Sequence, residues 1–224
     1  MNSVKLLAID LFAGIGGLRM GLHKAFNNTN IKFENVKDDN IYFVYSNEID
    51  KWASQTYCEN FLENPKGDIT KLNLKRLPQF QLLLSGFPCQ SFSIAGSRKR
   101  KKKKRGTLFF YVAQSIKIYR PKAILLENVR NLKTHDKGRT FSVIKETLET
   151  DLGYTIYSKV LNSKNFGVPQ NRKRIFIVGF KENTNFQFPN GSKETKVKDI
   201  LEKKVDSKYY VSHRSLEGMK AHRA

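Results

Sequence analysis

Six short apolar runs, each stopping at a polar or small residue, constrain the fold of this chain more than any other feature. They are VKLLAID (4–10), YFVYSNE (42–48), LLLS (82–85), AILLEN (123–128), TIYSKVL (155–161) and RIFIVGF (174–180). Short apolar runs without strict polar alternation are typical of buried β-strands that are covered on both faces. The sequence therefore predicts that these runs form buried strands.

Helical patterns separate several of these runs. GLRMGLHKAF (17–26), LFFYVAQSIKIY (108–119) and TFSVIKETLETDL (140–152) repeat apolar residues at helical spacing, and Gly153 suits a helix stop after the last of them. Strands that alternate with helices predict an α/β fold with a doubly wound, mostly parallel sheet.

Reactive or charged side chains stand at the ends of four predicted strands. They are Asp10, Glu48, Cys89 and Glu127. Ligands of open α/β sheets bind beyond the carboxyl ends of the strands, so we expect these groups to converge on one rim.

A glycine-rich loop follows the first strand. Its glycines are Gly14, Gly16 and Gly17. They allow tight turning and close backbone approach to a ligand. The loop is not the dinucleotide fingerprint, because Arg19 replaces the third spaced glycine and Glu48 comes later than the usual spacing of about 20 residues. A plain glycine turn is the alternative, but Phe12, Glu48 and Asp68 favour an adenosine ligand.

The two cysteines of the chain have different predicted roles. Cys58 and Cys89 form no Cys-x-x-Cys or Cys/His cluster, so a disulfide framework and a zinc site are both disfavoured and we expect no metal. Cys58 is interpreted as a buried, inert small hydrophobe. Cys89 follows Gly86 and Pro88 at a strand end, where basic neighbours would favour its thiolate. Cys–His catalysis is a rival, but the four histidines show no motif for it.

Glu127 and the segment GVPQNRKRIFIVGF each allow two readings. Glu127 suits a general acid at a strand end, or an ordinary capping or ion-paired carboxylate. Gln170, Arg172 and Arg174 alternate before and into a strand, so they should point to one side and suit a base edge or a phosphate. An ordinary basic strand entry is the alternative.

The net charge of +21 at pH 7 favours a polyanionic partner, most simply nucleic acid. An anionic membrane surface competes, but the sequence contains no long apolar span, and its start lacks a basic n-region and a cleavage site. We therefore expect no membrane partner, and the lack of a disulfide framework predicts a reducing, cytoplasmic location.

An unbroken basic run, residues 98–105, follows the segment that contains Cys89. We interpret it as a grip on the phosphate backbone that does not read sequence. A solvated charge run and a nuclear-import signal are the alternatives.

In order and spacing, the motifs resemble those of the C5-cytosine DNA methyltransferases over about residues 4–180. DLFAGIGGLRMGL, NEID and GDIT resemble the first three S-adenosylmethionine motifs, and GFPCQSFSIAG resembles the nucleophile motif. ENVRNL resembles the glutamate motif and QNRKRIFIVGF the eighth motif. The resemblance implies the class I S-adenosylmethionine-dependent methyltransferase fold, with S-adenosyl-L-methionine as cofactor.

The resemblance also implies a role for each matching residue. Cys89 would attack C6 of cytosine, Glu127 would bind N3 and the exocyclic amine, and Arg174 would contact O2 with support from Arg172. The positions that match the cofactor site are Asp10, Phe12, Ala13, Gly14, Gly16, Gly17, Glu48, Ile49, Asp68, Ile69, Pro88 and Leu108. Those assigned to double-stranded DNA are Gln90, Ser91, Ser93, Arg98, Lys99, Arg105 and Gln170. The target nucleotide would have to leave the duplex first.

We expect a catalytic and cofactor-binding domain over residues 1–180 and, over residues 181–224, a linker with the start of a target-recognition region. The latter segment is polar and turn-rich, with a short amphipathic piece, VKDILEKKV. The family's target-recognition region and its last two motifs are not visible. A split enzyme with a second polypeptide and a truncated gene both fit this pattern.

Three functions stay open at this point. The favoured one is a DNA cytosine-5 methyltransferase of a bacterial or phage restriction-modification system, since GFPCQSFSIAG looks more like the DNA-modifying branch. A tRNA cytosine-5 methyltransferase is the second. A non-catalytic DNA-binding or regulatory subunit is the third, and the presence of Cys89, Glu127 and Arg174 argues against it.

Overall fold

The computed structural model describes residues 5–27, 41–88 and 108–221. The described residues form a six-stranded sheet in the order β2-β1-β3-β4-β6-β5. The strands are β1 (Leu6–Leu11), β2 (Ile41–Asn47), β3 (Leu82–Ser85), β4 (Ala123–Val129), β5 (Thr155–Asn162) and β6 (Lys173–Phe180). All six lie where the apolar runs predict them.

The sheet is mostly parallel, as expected. β1 pairs in parallel with β2 and β3, and β3 with β4. β6 is antiparallel to both of its neighbours, β4 and β5. Because β6 is reversed, its first residues meet the carboxyl end of β4.

The three predicted helices are present. They are α1 (Gly17–Asn27), α3 (Leu108–Tyr119) and α4 (Arg139–Glu146). After α4 the chain makes a π-helical turn, Thr147–Asp151, and then turns at Gly153 with φ 70°. The predicted glycine stop is therefore confirmed, with a looser last turn than the pattern indicated.

Two helices were not predicted. α2 (Lys51–Phe61) begins after Asp50, whose carboxylate accepts hydrogen bonds from the backbone N–H groups of Trp52 and Ala53. Only Tyr57 and Phe61 of this helix are buried, so its apolar periodicity is weak. α5 (His213–Ala221) lies in the basic end of the chain. The amphipathic piece VKDILEKKV forms a single 3-10 turn, Val197–Ile200.

The position of Cys58 corrects a prediction. It lies on the polar face of α2 and is exposed, not buried. The helical periodicity that turns Tyr57 inward turns the next residue out.

Both faces of the sheet are covered by apolar residues. On one face Ile9 and Leu11 of β1 pack in the main core, together with Phe109, Val112 and Ile116 of α3. On the other, Ala8 of β1 packs with Phe43 of β2, and the partly buried Leu18 and Leu22 of α1 pack against them. The main core also includes Ile144 of α4. α3 and α4 therefore cover one face of the sheet and α1 covers the other, as in a doubly wound fold.

The chain divides into two compact units. The first comprises Met1–Asn162 and Lys173–Asn190 and holds the sheet with α1 to α4. The second comprises Ser163–Arg172 and Gly191–Ala224 and holds α5. The functional division at residue 180 stays a prediction.

Candidate active site

The glycine loop is fastened to the carboxyl end of β2. Ala13 N–H donates to the carbonyl of Asn47 at 2.9 Å, and Gly14 N–H donates to Glu48 Oε2 at 2.7 Å. Gly16 has φ +88°, and a Cβ built on it would overlap the ring of Phe61 in α2. Only glycine meets both conditions, so this residue fixes how closely the loop approaches α2.

Two acids predicted to hold an adenosine are fixed by their neighbours. Glu48 Oε1 accepts from the N–H groups of Ile49 at 2.9 Å and Asp50 at 2.8 Å. Asp68 accepts from the N–H of Thr70 at 2.9 Å and from its hydroxyl at 2.8 Å. These hydrogen bonds to Thr70 lower the pKa of Asp68. Each carboxylate therefore presents an oriented acceptor and not a freely rotating one.

The other predicted cofactor residues differ in exposure. Ile49 is exposed, whereas Ile69 and Ala13 are buried, with the side chain of Ile69 in the main core. Phe12 and Leu108 are half-buried and pack against the same core, and Pro88 is also half-buried. Any contact of Ile69 with a cofactor therefore involves its backbone.

Asp10 does not lie at the rim. It belongs to β1, paired in register with Ser46 of β2, and it is fully buried. Neither carboxyl oxygen has a hydrogen-bond partner among the described residues. The strand continues one residue further than the sequence pattern indicated, which carries Asp10 into the interior. Its assignment to the cofactor site stays a prediction that its buried side chain does not support.

The buried carboxyl of Asp10 makes a pH-dependent contribution to stability. Burial raises the pKa of Asp10 to about 8, against the opposing influence of the Arg19 cation. The folded protein holds this proton up to about pH 8, whereas the unfolded chain releases it near pH 4, so unfolding releases a proton between these values. Stability therefore falls through this window, by up to about 1.4 kcal/mol per pH unit. Asp10→Asn should remove this decline, as measured by urea unfolding at pH 5, 6, 7 and 8. An equal slope in wild type and variant would contradict the assignment.

Glu127 and Arg174 form an ion pair where β4 ends and β6 begins. Arg174 Nε lies 2.9 Å from Glu127 Oε1, and the two side chains are 23% and 24% exposed. The other oxygen, Oε2, lies 3.7 Å from the position of a Cβ built on Gly86. The pair is therefore accessible, and it borders the strand exit Gly86–Pro88 that leads to Cys89.

Asn128 ties this strand exit to β4, a contact that sequence reasoning missed. Its Nδ2 donates to the carbonyl of Phe87 at 2.7 Å, and Asn128 is 2% exposed. This hydrogen bond thus holds Phe87, two positions before Cys89, to Asn128, which directly follows Glu127. The sequence signal for this contact was the polar Asn128 directly after Glu127, the acid at the strand end.

The predicted site residues that lie outside the described residues are Cys89, Gln90, Ser91, Ser93, Arg98, Lys99 and Arg105. Gln170 and Arg172 belong to the second unit, in a turn where Arg172 N–H donates to the carbonyl of Gln170 at 3.0 Å. β6 begins at Lys173, so strand alternation does not extend back to them. Their predicted roles are untested.

Two classes of feature are missing from the part of the chain that the structure describes. Residues 5–27, 41–88 and 108–221 contain no group of three or more His, Cys, Asp or Glu that could hold a metal ion. None of their helices is both long enough and apolar enough to span a bilayer.

Comparison with known proteins decides the family. A model of the C-5 cytosine-specific DNA methylase family matches residues 6–224. The chain belongs to this family. The type II methyltransferase M1.ScrFI of Lactococcus lactis subsp. cremoris is 48% identical over 223 residues, which cover 97% of this chain and 54% of the relative. M.SsoII of Shigella sonnei is 50% identical over 210 residues, covering 91% of this chain and 52% of the relative. This methylase-family chain thus spans about half the length of these two relatives.

Solved structures agree with the fold of the methylase family. The Dnmt2 methyltransferase of S. pombe superposes with a TM-score of 0.70 at 20% identity, covering 97% of this chain and 67% of the other. The methyltransferase EhMeth of Entamoeba histolytica gives 0.67 at 22% identity, with coverage of 96% and 66%. The predicted fold class, a doubly wound sheet of the class I methyltransferase type, is confirmed.

Proposed function

We propose that this chain carries the catalytic machinery of an enzyme that transfers a methyl group from S-adenosyl-L-methionine to C5 of cytosine in double-stranded DNA. Its setting would be the cytoplasm of a bacterial cell, in a restriction-modification system like those of its type II relatives. The Glu127–Arg174 pair beside the Gly86–Pro88 strand exit is the observation that carries the proposal.

The pair suits one edge of a cytosine ring. A carboxyl group can bind N3 and the exocyclic amine, and a guanidinium can donate to O2. The two groups are 2.9 Å apart and each is about three-quarters covered. A base stacked in a duplex would not reach such a site, so the proposal requires extrusion of the target nucleotide at a cost of a few kcal/mol.

In the proposed reaction the Cys89 thiolate forms a bond to C6 of the extruded cytosine. Glu127 donates a proton at N3, which draws electrons from the ring and makes C6 electrophilic. C5 thereby becomes an enamine carbon and a nucleophile. The bound S-adenosylmethionine would supply an electrophilic methyl group on its sulfonium, which C5 would take up as the sulfur–methyl bond breaks and the thioether S-adenosylhomocysteine leaves. Loss of the C5 proton to a base and return of the N3 proton to Glu127 then expel the Cys89 thiolate, break the C6–S bond and restore the aromatic ring.

The residues of the glycine loop and its neighbours fit this cofactor. A Cβ on Gly16 would overlap the ring of Phe61, so only glycine allows this loop conformation. Hydrogen bonds to backbone N–H groups hold Glu48 and Asp68 as oriented acceptors. Acceptors of this kind suit ribose hydroxyls and an amine, and they would repel a phosphate.

Residues 1–180 are proposed as the catalytic and cofactor-binding domain. Target recognition would then come from another region of the protein or from a second polypeptide. The basic run 98–105 and the DNA-assigned residues that accompany it would contribute backbone contacts.

A duplex containing 5-fluorocytosine tests the proposal directly. With S-adenosylmethionine present, the fluorine blocks loss of the C5 substituent, so the enzyme should stay covalently attached to DNA on a denaturing gel. Cys89→Ala should form no adduct. Cys58→Ala is the matched control, since Cys58 is exposed on α2, and it should form as much adduct as wild type.

The assay should be run with and without any companion polypeptide that carries a target-recognition region. An adduct only in the mixture would support a split enzyme. An adduct in Cys89→Ala, or none in any preparation, would contradict the proposed chemistry. Adduct formation with 5-fluorocytosine tRNA and not DNA would favour the RNA alternative.

A further inference from the structure

Arg19 is a buried cation that the proposed chemistry does not use. It lies in the first turn of α1, directly after the glycine loop, and it is 4% exposed. Its guanidinium carbon is 4.4 Å from the ring centroids of both Phe43 and Phe61. Two aromatic rings therefore flank the guanidinium and stabilise it through cation–π contact.

The N–H groups of Arg19 reach residues that are distant in sequence. Nη1 donates to the Tyr57 hydroxyl at 2.8 Å, and Nη1 and Nη2 donate to the two oxygens of Glu63 at 2.5 and 2.9 Å. Nε donates to His23 Nε2 at 3.3 Å. Burial disfavours the cation, but the hydrogen bonds to Glu63 and Tyr57 outweigh it and raise the pKa of Arg19. The guanidinium therefore stays charged and fixed.

The residues that bind Arg19 connect it to the segments expected to bind adenosine, those of Glu48 and Asp68. The Tyr57 hydroxyl is 2.7 Å from Ser46 Oγ, two residues before Glu48. Glu63 stands between the end of α2 and Asp68. One guanidinium thus joins the start of α1, the end of β2 and the segment that enters Asp68.

We infer that Arg19 is a positioning residue for the S-adenosylmethionine site, which it sets by locking the glycine loop against the segments of Glu48 and Asp68. This inference rests on the proposed function. A planar guanidinium bound through two parallel hydrogen bonds fixes both the distance and the angle between two elements, whereas a lysine ammonium acts as a point charge. The geometry of the cleft should therefore depend on arginine itself and not on a positive charge alone.

Arg19→Lys tests the inference because it keeps the charge and loses the two-pronged contact with Glu63. Titration calorimetry with S-adenosylmethionine should give a Kd raised roughly tenfold or more, since small misplacements of binding groups are costly. Trp52, the one tryptophan of the sequence, lies in the first turn of α2, four residues after Glu48, and offers a fluorescence signal for the same binding. In an active preparation, the KM for S-adenosylmethionine should rise while kcat at saturation stays near the wild-type value.

Arg120→Lys is the matched control. Arg120 also makes a structural contact, between its guanidinium and the carbonyl of Leu152, and it lies over the ring of Tyr154. It precedes β4, which runs parallel to β3, β1 and β2, so it lies at the amino ends of these strands, whereas the glycine loop and Glu48 follow the carboxyl ends of β1 and β2. This variant should lower the melting temperature and leave the Kd unchanged.

The outcomes separate the inference from the proposed function. An unchanged Kd in Arg19→Lys, with wild type binding normally, would overturn the positioning role alone. Wild type that does not bind S-adenosylmethionine would overturn the cofactor assignment and the inference together. If Arg19→Lys does not fold, Glu63→Gln replaces it, since it keeps the shape and weakens the same contact. Wild-type affinity in that variant would equally overturn the inference.

Discussion

Glu127→Gln is expected to slow covalent attachment to 5-fluorocytosine DNA by about 10²–10⁴-fold, because an amide cannot donate the proton that N3 requires. Glutamine keeps the size of the side chain and can still accept a hydrogen bond from Arg174, whose Nε now lies 2.9 Å from Glu127. The fold and the Kd for S-adenosylmethionine should therefore be retained. Adduct formation over time is the measurement, in the preparation in which wild type reacts.

Glu146→Gln provides the control for this prediction. Glu146 is an exposed carboxylate at the end of α4, so its loss changes the net charge equally without touching the pair. It should react at the wild-type rate. A Glu127→Gln variant that reacts as fast as this control would exclude Glu127 as the proton donor.

Gly16→Ala is expected to lower the free energy of unfolding by about 2–4 kcal/mol and to abolish measurable binding of S-adenosylmethionine. The residue has φ +88°, a conformation that L side chains rarely adopt. An added Cβ would also overlap the ring of Phe61, which packs with Tyr57 and Met20. Either the loop or α2 must then move. Urea unfolding and calorimetric titration measure the two effects.

A second glycine of the same region gives the opposite expectation. Gly21 lies inside α1, and a Cβ built on it would meet no atom within 4 Å. Gly21→Ala should therefore stabilise the protein by about 0.5–1 kcal/mol, since alanine favours the helix. A Gly16→Ala variant as stable as this one would show that the loop tolerates a side chain there.

The fold was predictable because strands that are buried on both faces are apolar along their length, and this pattern is visible in the local sequence. Each core strand is an apolar run, and the three apolar helices repeat at helical spacing. α2 leaves little such mark, since its buried side chains are Tyr57 and Phe61 alone. Its N-terminal cap at Asp50 was the better signal.

The site was predictable only in part, because motifs identify residues and do not reveal their partners. The resemblance to the family implied that Glu127 and Arg174 serve one base, but the antiparallel pairing that joins them is a property of the whole sheet. The Arg19–Glu63 contact spans 44 positions and follows no local pattern. Asp10 was misplaced for a related reason, since one further residue of strand decides whether a carboxyl is buried.

The reversed direction of β6 has a consequence for how the site can vary among related proteins. Arg174 is the second residue of an interior strand, which is paired with β4 on one side and β5 on the other. Its anchorage is the backbone ladder of the sheet and not a connecting loop. Under the proposed function, insertions in the neighbouring connections would therefore change which nucleotides reach the site, while the cation assigned to the cytosine keeps its register.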